Sequence, residues 1–74
     1  MNLDVNLDRK MIVQKIEKII NLLEEAGYEP YDQLSGYVKT GSEIYITRHG
    51  NARELIKDID IQHIDNYLKG VRYN

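Results

Sequence analysis

Arg48, His49 and Arg53 fall in the stretch Ile44 to Arg53, IYITRHGNAR, which contains no acidic residue. Cationic side chains flanking the start of a helix are the chemistry of an anion site, since free amides and the helix dipole also favour negative charge there. Gly50 would let the backbone approach a phosphate closely, and Asn51 is a residue type that caps helices. These four positions, Arg48, His49, Asn51 and Arg53, are therefore the candidate site for an anion or an acidic partner peptide. The plainer reading is that Asn51 only caps the helix and Arg53 pairs with a carboxylate across the core or a dimer interface. Tyr28, Tyr31, Tyr37 and Tyr45 lie near these arginines in sequence and could stack nucleobases, or they could simply be the bulky packing residues of a core without Phe or Trp.

Catalysis has little to work with. The chain has no cysteine, no H-x-x-x-H, no Walker loop and no G-x-G-x-x-G. His63 lies between Asp60 and Asp65, but at i, i+3 from Asp60 on a helix start the ordinary use is capping. No catalytic residue, metal ligand set or cofactor is expected. Hydroxyl groups are few: Ser35, Thr40, Ser42 and Thr47 are the only serines and threonines. Ser42 and Thr47 fall in the extended stretch, where a modifying enzyme reaches the backbone more easily than on a packed helix, so they are the candidate phosphorylation sites.

The elements that position these residues follow from apolar spacing. Ile12, Ile16, Ile19, Ile20, Leu23 and Ala26 recur at helical intervals, predicting a first helix over 8–26 with Asp8 as N-cap. Gly27 should end it in a left-handed residue, with Tyr28 folding back in a Schellman arrangement. Pro30 opens a second helix over 30–40, in which Gly36 implies close approach of another backbone. Residues 42–47, SEIYIT, read as extended, with Ile44 and Ile46 on one side and Tyr45 on the other. Two further helices, near 50–59 and 60–69, bury Ala52, Leu55, Ile56 and Ile59, then Ile61, Ile64, Tyr67 and Leu68, with Asp60 capping the last. Residues 1–7 alternate apolar and polar, which suggests an extended arm or a frayed end. The expectation is a mainly α, four-helix single domain over 1–74, with a short extended segment between its second and third helices.

Seventy-four residues give a thin core, and without cysteines or a metal set the remaining aid is a second copy. Val13 and Leu22 widen the apolar arc of the first helix to about half its circumference, more than a small core needs. A symmetric dimer with Val13 and Leu22 at or near the interface answers this, and could also pair the 42–47 segment across the two-fold axis. Charged residues make up 30% of the chain and the formal net charge is −2, which fits a globular soluble protein. Residues 1–34 carry four basic and seven acidic side chains, residues 35–74 six and five, too little asymmetry for a general nucleic-acid surface. No apolar run reaches the ~20 residues of a membrane span, the N-terminus lacks a signal-peptide core, and a cysteine-free chain fits the cytoplasm.

The pattern GY-P-x-x-Q-L-x-GY-V, then T-G-x-x-x-YI and NAR-x-LI, resembles the IreB-type (YrzL-type) family of small bacterial regulatory phosphoproteins. It is carried by Gly27, Tyr28, Pro30, Gln33, Gly36, Tyr37, Gly41, Tyr45, Ile46, Asn51, Ala52, Arg53, Leu55 and Ile56, with weaker matches outside the middle third. The resemblance implies a cytoplasmic, non-enzymatic homodimer regulated by a membrane Ser/Thr kinase and its phosphatase in cell-envelope stress signalling, acting on a downstream protein. A small nucleic-acid-binding protein using Arg48, Arg53 and nearby tyrosines is the alternative. The chain departs from the family pattern in having no Ser or Thr before Ser35, where members carry acceptor threonines. It also has Ser42 and Glu43 where Asp-Pro is usual, and a last helix shorter by about one turn.

Overall fold

A computed structural model describes the backbone of residues 3–70 and the side chains of 9–70. Four α-helices make up most of it: α1 Leu3–Glu25, α2 Pro30–Thr40, α3 Ala52–Lys57 and α4 Ile61–Leu68. Two single 3₁₀ turns, Glu43–Tyr45 and His49–Asn51, fill the connection between α2 and α3, and no strand occurs among the described residues.

Helix α1 begins at Leu3, so residues 3–7 continue the helix instead of forming an extended arm, and Asp8 lies inside it instead of capping it. The expected tail over 71–74 and the side chains of Leu7 and Asp8 lie outside the described residues. The inner face of α1 buries Ile16, Ile19 and Leu23, with Ile12, Ile20 and Leu22 packed at its margins. The helix stops as the glycine signal requires. Gly27 has φ 85°, its N–H donates to Glu24 O at 3.0 Å, and Tyr28 N–H donates to Leu23 O at 3.0 Å. Those two bonds are the Schellman pair and leave few carbonyls unsatisfied at the turn.

Helix α2 starts with Pro30 in its first turn, and the Glu29 carboxylate accepts from Tyr31 N–H at 2.6 Å. At its other end the Thr40 hydroxyl donates to Gly36 O at 2.7 Å, and left-handed Gly41 closes the helix. Gly36 has the close neighbour its presence implied, but that neighbour is a ring and not a backbone. A Cβ on Gly36 would lie 2.8 Å from Tyr45 Cδ1.

The segment 42–47 is corrected more substantially. A 3₁₀ turn advances about 120° per residue, so residues two apart no longer share a side. Ile46 is accordingly fully buried, whereas Ile44 is 72% exposed. The segment has no need of a strand partner either. Thr47 N–H donates to Gln33 Oε1 at 3.1 Å, and Ile46 O accepts from Arg53 Nε at 3.0 Å. Side chains of the same chain thus satisfy the backbone groups that suggested pairing across a two-fold axis.

Helices α3 and α4 and the turn between them complete the core with Ala52, Ile56, Ile59 and Ile64. Asp60 caps α4, accepting from Gln62 N–H at 2.8 Å. Tyr67 on α4 is held protonated above the usual tyrosine value of 10.0, first by burial, then by Tyr31 and by Glu17. A raised acid favours the neutral form in the folded state. Its contribution is therefore complete below about pH 10 and is lost as pH rises through the folded-state value. Ultraviolet titration should show a tyrosine transition above the ordinary range that Tyr67→Phe removes; a variant that keeps that transition would contradict this.

Candidate functional site

The 42–51 connection and the start of α2 enclose an open groove of about 690 Å³. Tyr28, Glu29, Asp32 and Gln33 form one wall, while Ile44, Tyr45, Thr47, Arg48 and Arg53 form the other. Ile46 is the anchor beneath, fully buried in the core cluster. The two bonds from Gln33 and Arg53 fasten the connection on either side of that anchor. Those contacts, with the Tyr45 ring against Gly36 and Lys57 on Glu43, hold the wall in place of a strand ladder.

The apolar character of the groove is unusual in being on display. Tyr28 is 50% exposed, Tyr45 46% and Ile44 72%. An isoleucine left this exposed loses most of the transfer free energy that burying it would return, about 1.5–3 kcal/mol. Such residues clustered at one groove mark an interaction surface more often than residues scattered singly.

Arg48 and Arg53 stand between this groove and a second, smaller one of about 440 Å³ lined also by Glu43, Asn51 and Glu54. Three of the four expected anion-site residues therefore share one place. They differ in what they do there. Arg53 is half-buried and spends its Nε–H on Ile46 O, a structural bond. Asn51 occupies the N-cap position of α3 but at φ 66°, in a left-handed conformation, and its side chain makes no capping bond. His49 turns away, with Nε2 at 3.3 Å from Glu25 Oε1 on α1. Arg48 is exposed and has no ion-pair or hydrogen-bond partner for its guanidinium among the described residues.

The charge around Arg48 is mixed. Glu29 and Asp32 line the far wall of the larger groove, and Glu43 and Glu54 line the smaller one. Lys57 offsets part of the latter, lying 3.2 Å from Glu43 and 4.0 Å from Glu54. Helix α3 has only six residues and supplies little dipole of its own. Bare anion capture at a helix start is thus the weaker use of this geometry, and a polar–apolar surface beside the Arg48 guanidinium is the stronger.

The remaining sequence candidates separate cleanly. Tyr37 is buried in the core and unavailable for stacking, while Tyr28 and Tyr45 face the groove. The Asp60–His63 pair is used for capping: His63 N–H donates to Asp60 O at 2.9 Å, and the Asp60 carboxylate is bonded to Gln62 N–H. Among the described residues no group of three or more His, Asp and Glu is placed to hold a metal ion. Ser42 and Thr47 are both half-buried. Ser42 N–H donates to Thr40 Oγ1 at 3.1 Å, and Thr47 Oγ1 accepts from His49 N–H at 3.2 Å. Val13 is half-exposed beside Arg9, Lys10 and Gln14, outside the core. Leu22 has an internal partner instead, since a Cβ on Gly50 would meet its Cδ2 at 2.5 Å.

Gln33 was missed as a site residue, although it stands in the motif Q-L-x-GY. Its bond to Thr47 spans fourteen positions and only the fold reveals it. Glu29 as a cap was missed too, glutamate being an uncommon cap. No helix among the described residues is long and apolar enough to cross a membrane.

The motif that carries Gln33 also carries Gly27, Pro30, Gly36, Tyr45, Ile46 and Arg53, which are the stop, the start, the close contact and the anchors of the groove. The model of one protein family, the IreB regulatory phosphoprotein family, matches residues 1–69 of the 74-residue chain. The chain belongs to the IreB family of regulatory phosphoproteins.

Proposed function

We propose that this chain is a non-enzymatic regulatory protein that docks a segment of a downstream protein in the groove between the α2 start and the 42–51 connection. The observation that carries this reading is the cluster of exposed Tyr28, Ile44 and Tyr45 beside Arg48, whose guanidinium has no partner among the described residues. The occupant that fits is a peptide segment placing an apolar side chain on Ile44 and Tyr45 and a carboxylate on Arg48. The family description as a regulatory phosphoprotein supports the regulatory part. The finer setting is a cytoplasmic one, under a Ser/Thr kinase and phosphatase pair in cell-envelope stress signalling. The test is retention of a partner by the tagged chain and its release on charge reversal at Arg48. Nucleic acid instead of protein in the retained material, lost at moderate salt, would overturn the docking reading.

The active form proposed is a homodimer, supported by the small core and by the outward margin of α1. Half-exposed Val13 lies on that margin. Sedimentation at micromolar concentration should give a dimer, and Val13→Glu should give a helical monomer. Leu22→Glu is a poorer probe, because Leu22 also packs against Gly50 within the chain. A wild-type monomer would remove the dimer from the account.

A further inference from the structure

We infer that Thr47 is the phosphoacceptor of this chain, an assignment that rests on the regulatory phosphoprotein reading above. The family is described by its phosphorylation, and only Ser35, Thr40, Ser42 and Thr47 carry an aliphatic hydroxyl. Two of these lie in α2. A kinase takes its acceptor in extended chain, so reaching Ser35 or Thr40 requires opening that helix. The Thr40 proton is moreover already given to Gly36 O at 2.7 Å.

Ser42 and Thr47 both lie outside helices, and among the described residues neither hydroxyl proton has an acceptor. They differ in where the added charge would sit. Ser42 adjoins Glu43, whose carboxylate is paired with Lys57 at 3.2 Å, so a phosphate there meets a like charge and competes for that lysine. Thr47 follows Ile46, which is extended at φ −109°, ψ 130°. It lines the groove on the same wall as Arg48 and Arg53, with Glu29 and Asp32 across from it. A phosphate on Thr47 carries about −1.5 to −2 charge at pH 7 and can take charge-assisted hydrogen bonds from those two arginines. The step is ordinary phosphoryl transfer from a nucleoside triphosphate bound by a separate kinase. The Thr47 Oγ–P bond forms, the bond from the terminal phosphorus to its bridging oxygen breaks, the nucleoside diphosphate leaves, and the hydroxyl proton passes to the kinase base. The product occupies Arg48, the cation that the docked segment would otherwise use.

Two measurements test this. Phosphosite mapping of the full chain isolated from its own cells under envelope stress should place phosphate on Thr47. Phosphate on Ser35, Thr40 or Ser42 instead would overturn the assignment while leaving the phosphoprotein reading intact, and a chain carrying no phosphate would overturn both. Separately, the full chain made with phosphothreonine installed at position 47 should be titrated by phosphorus NMR. Its midpoint should lie below that of the same group in an unstructured peptide of residues 44–50, and Arg48→Gln should move it back toward the peptide value. Identical midpoints in protein, variant and peptide would show that no arginine receives the phosphate and would overturn the proposal.

Discussion

Ile46→Ala is expected to destabilise the protein by about 2–5 kcal/mol, the usual cost of emptying a fully buried aliphatic site. Ile46 has no exposed surface and packs in the one cluster that holds all four helices together. A chain of 74 residues has a total stability of only about 4–11 kcal/mol at ordinary per-residue values, so the loss approaches half of it. For a domain this size it corresponds to a fall in Tm of about 10–30 °C. The effect should exceed that of Ile44→Ala by far, since Ile44 two residues earlier is 72% exposed. Thermal unfolding followed by circular dichroism compares the pair directly. Equal Tm values for the two variants would mean that the 3₁₀ turn does not orient this segment as described.

That contrast also marks the line between what was legible in the sequence and what was not. The helices could be read from local signals. Gly27, Pro30 and Asp60 each act within a few residues, and each stands where it was expected. The inner faces of α3 and α4 followed from spacing alone, because a 3.6-residue period needs no knowledge of the partner. The 42–47 segment misled because β-branched composition is only a statement about side chains. Its backbone was decided by long-range partners, Gln33 and Arg53, that composition does not contain. Likewise, Arg48, His49 and Arg53 are close in sequence and all of basic residue type, yet they point to three tasks. The paired left-handed residues Gly50 and Asn51 reverse the chain there, sending His49 to Glu25 and leaving Arg48 outward. The cluster of exposed Tyr28, Ile44 and Tyr45 had no local signal at all, since exposure of an apolar residue is a property of the fold.

The two arginines give the second large effect, and it is a contrast in kind. Arg53→Ala removes a hydrogen bond from a charged donor to Ile46 O and leaves a backbone carbonyl in a half-buried place without its partner. Bonds of this type contribute about 1.5–3 kcal/mol, and partial exposure of Arg53 argues for the lower part of that range. Arg48→Glu should instead leave stability within about 0.5 kcal/mol, because an exposed side chain without a partner loses nothing on replacement. Its effect belongs to binding. Reversing the Arg48 charge at the groove sets a carboxylate against an acidic segment and should weaken docking by well over tenfold, about 1.4 kcal/mol or more. Arg53→Ala is expected to weaken it as well, through a loosened groove wall, and only together with a lowered Tm.

The most direct test is therefore a quantitative pull-down from the protein's own cells, comparing the tagged wild type with Arg48→Glu and with Lys39→Glu, a charge reversal on the exposed end of α2 outside both the groove and the Val13 face. The docking account predicts a protein retained equally by wild type and Lys39→Glu and lost with Arg48→Glu at unchanged Tm. Equal retention by all three would contradict it.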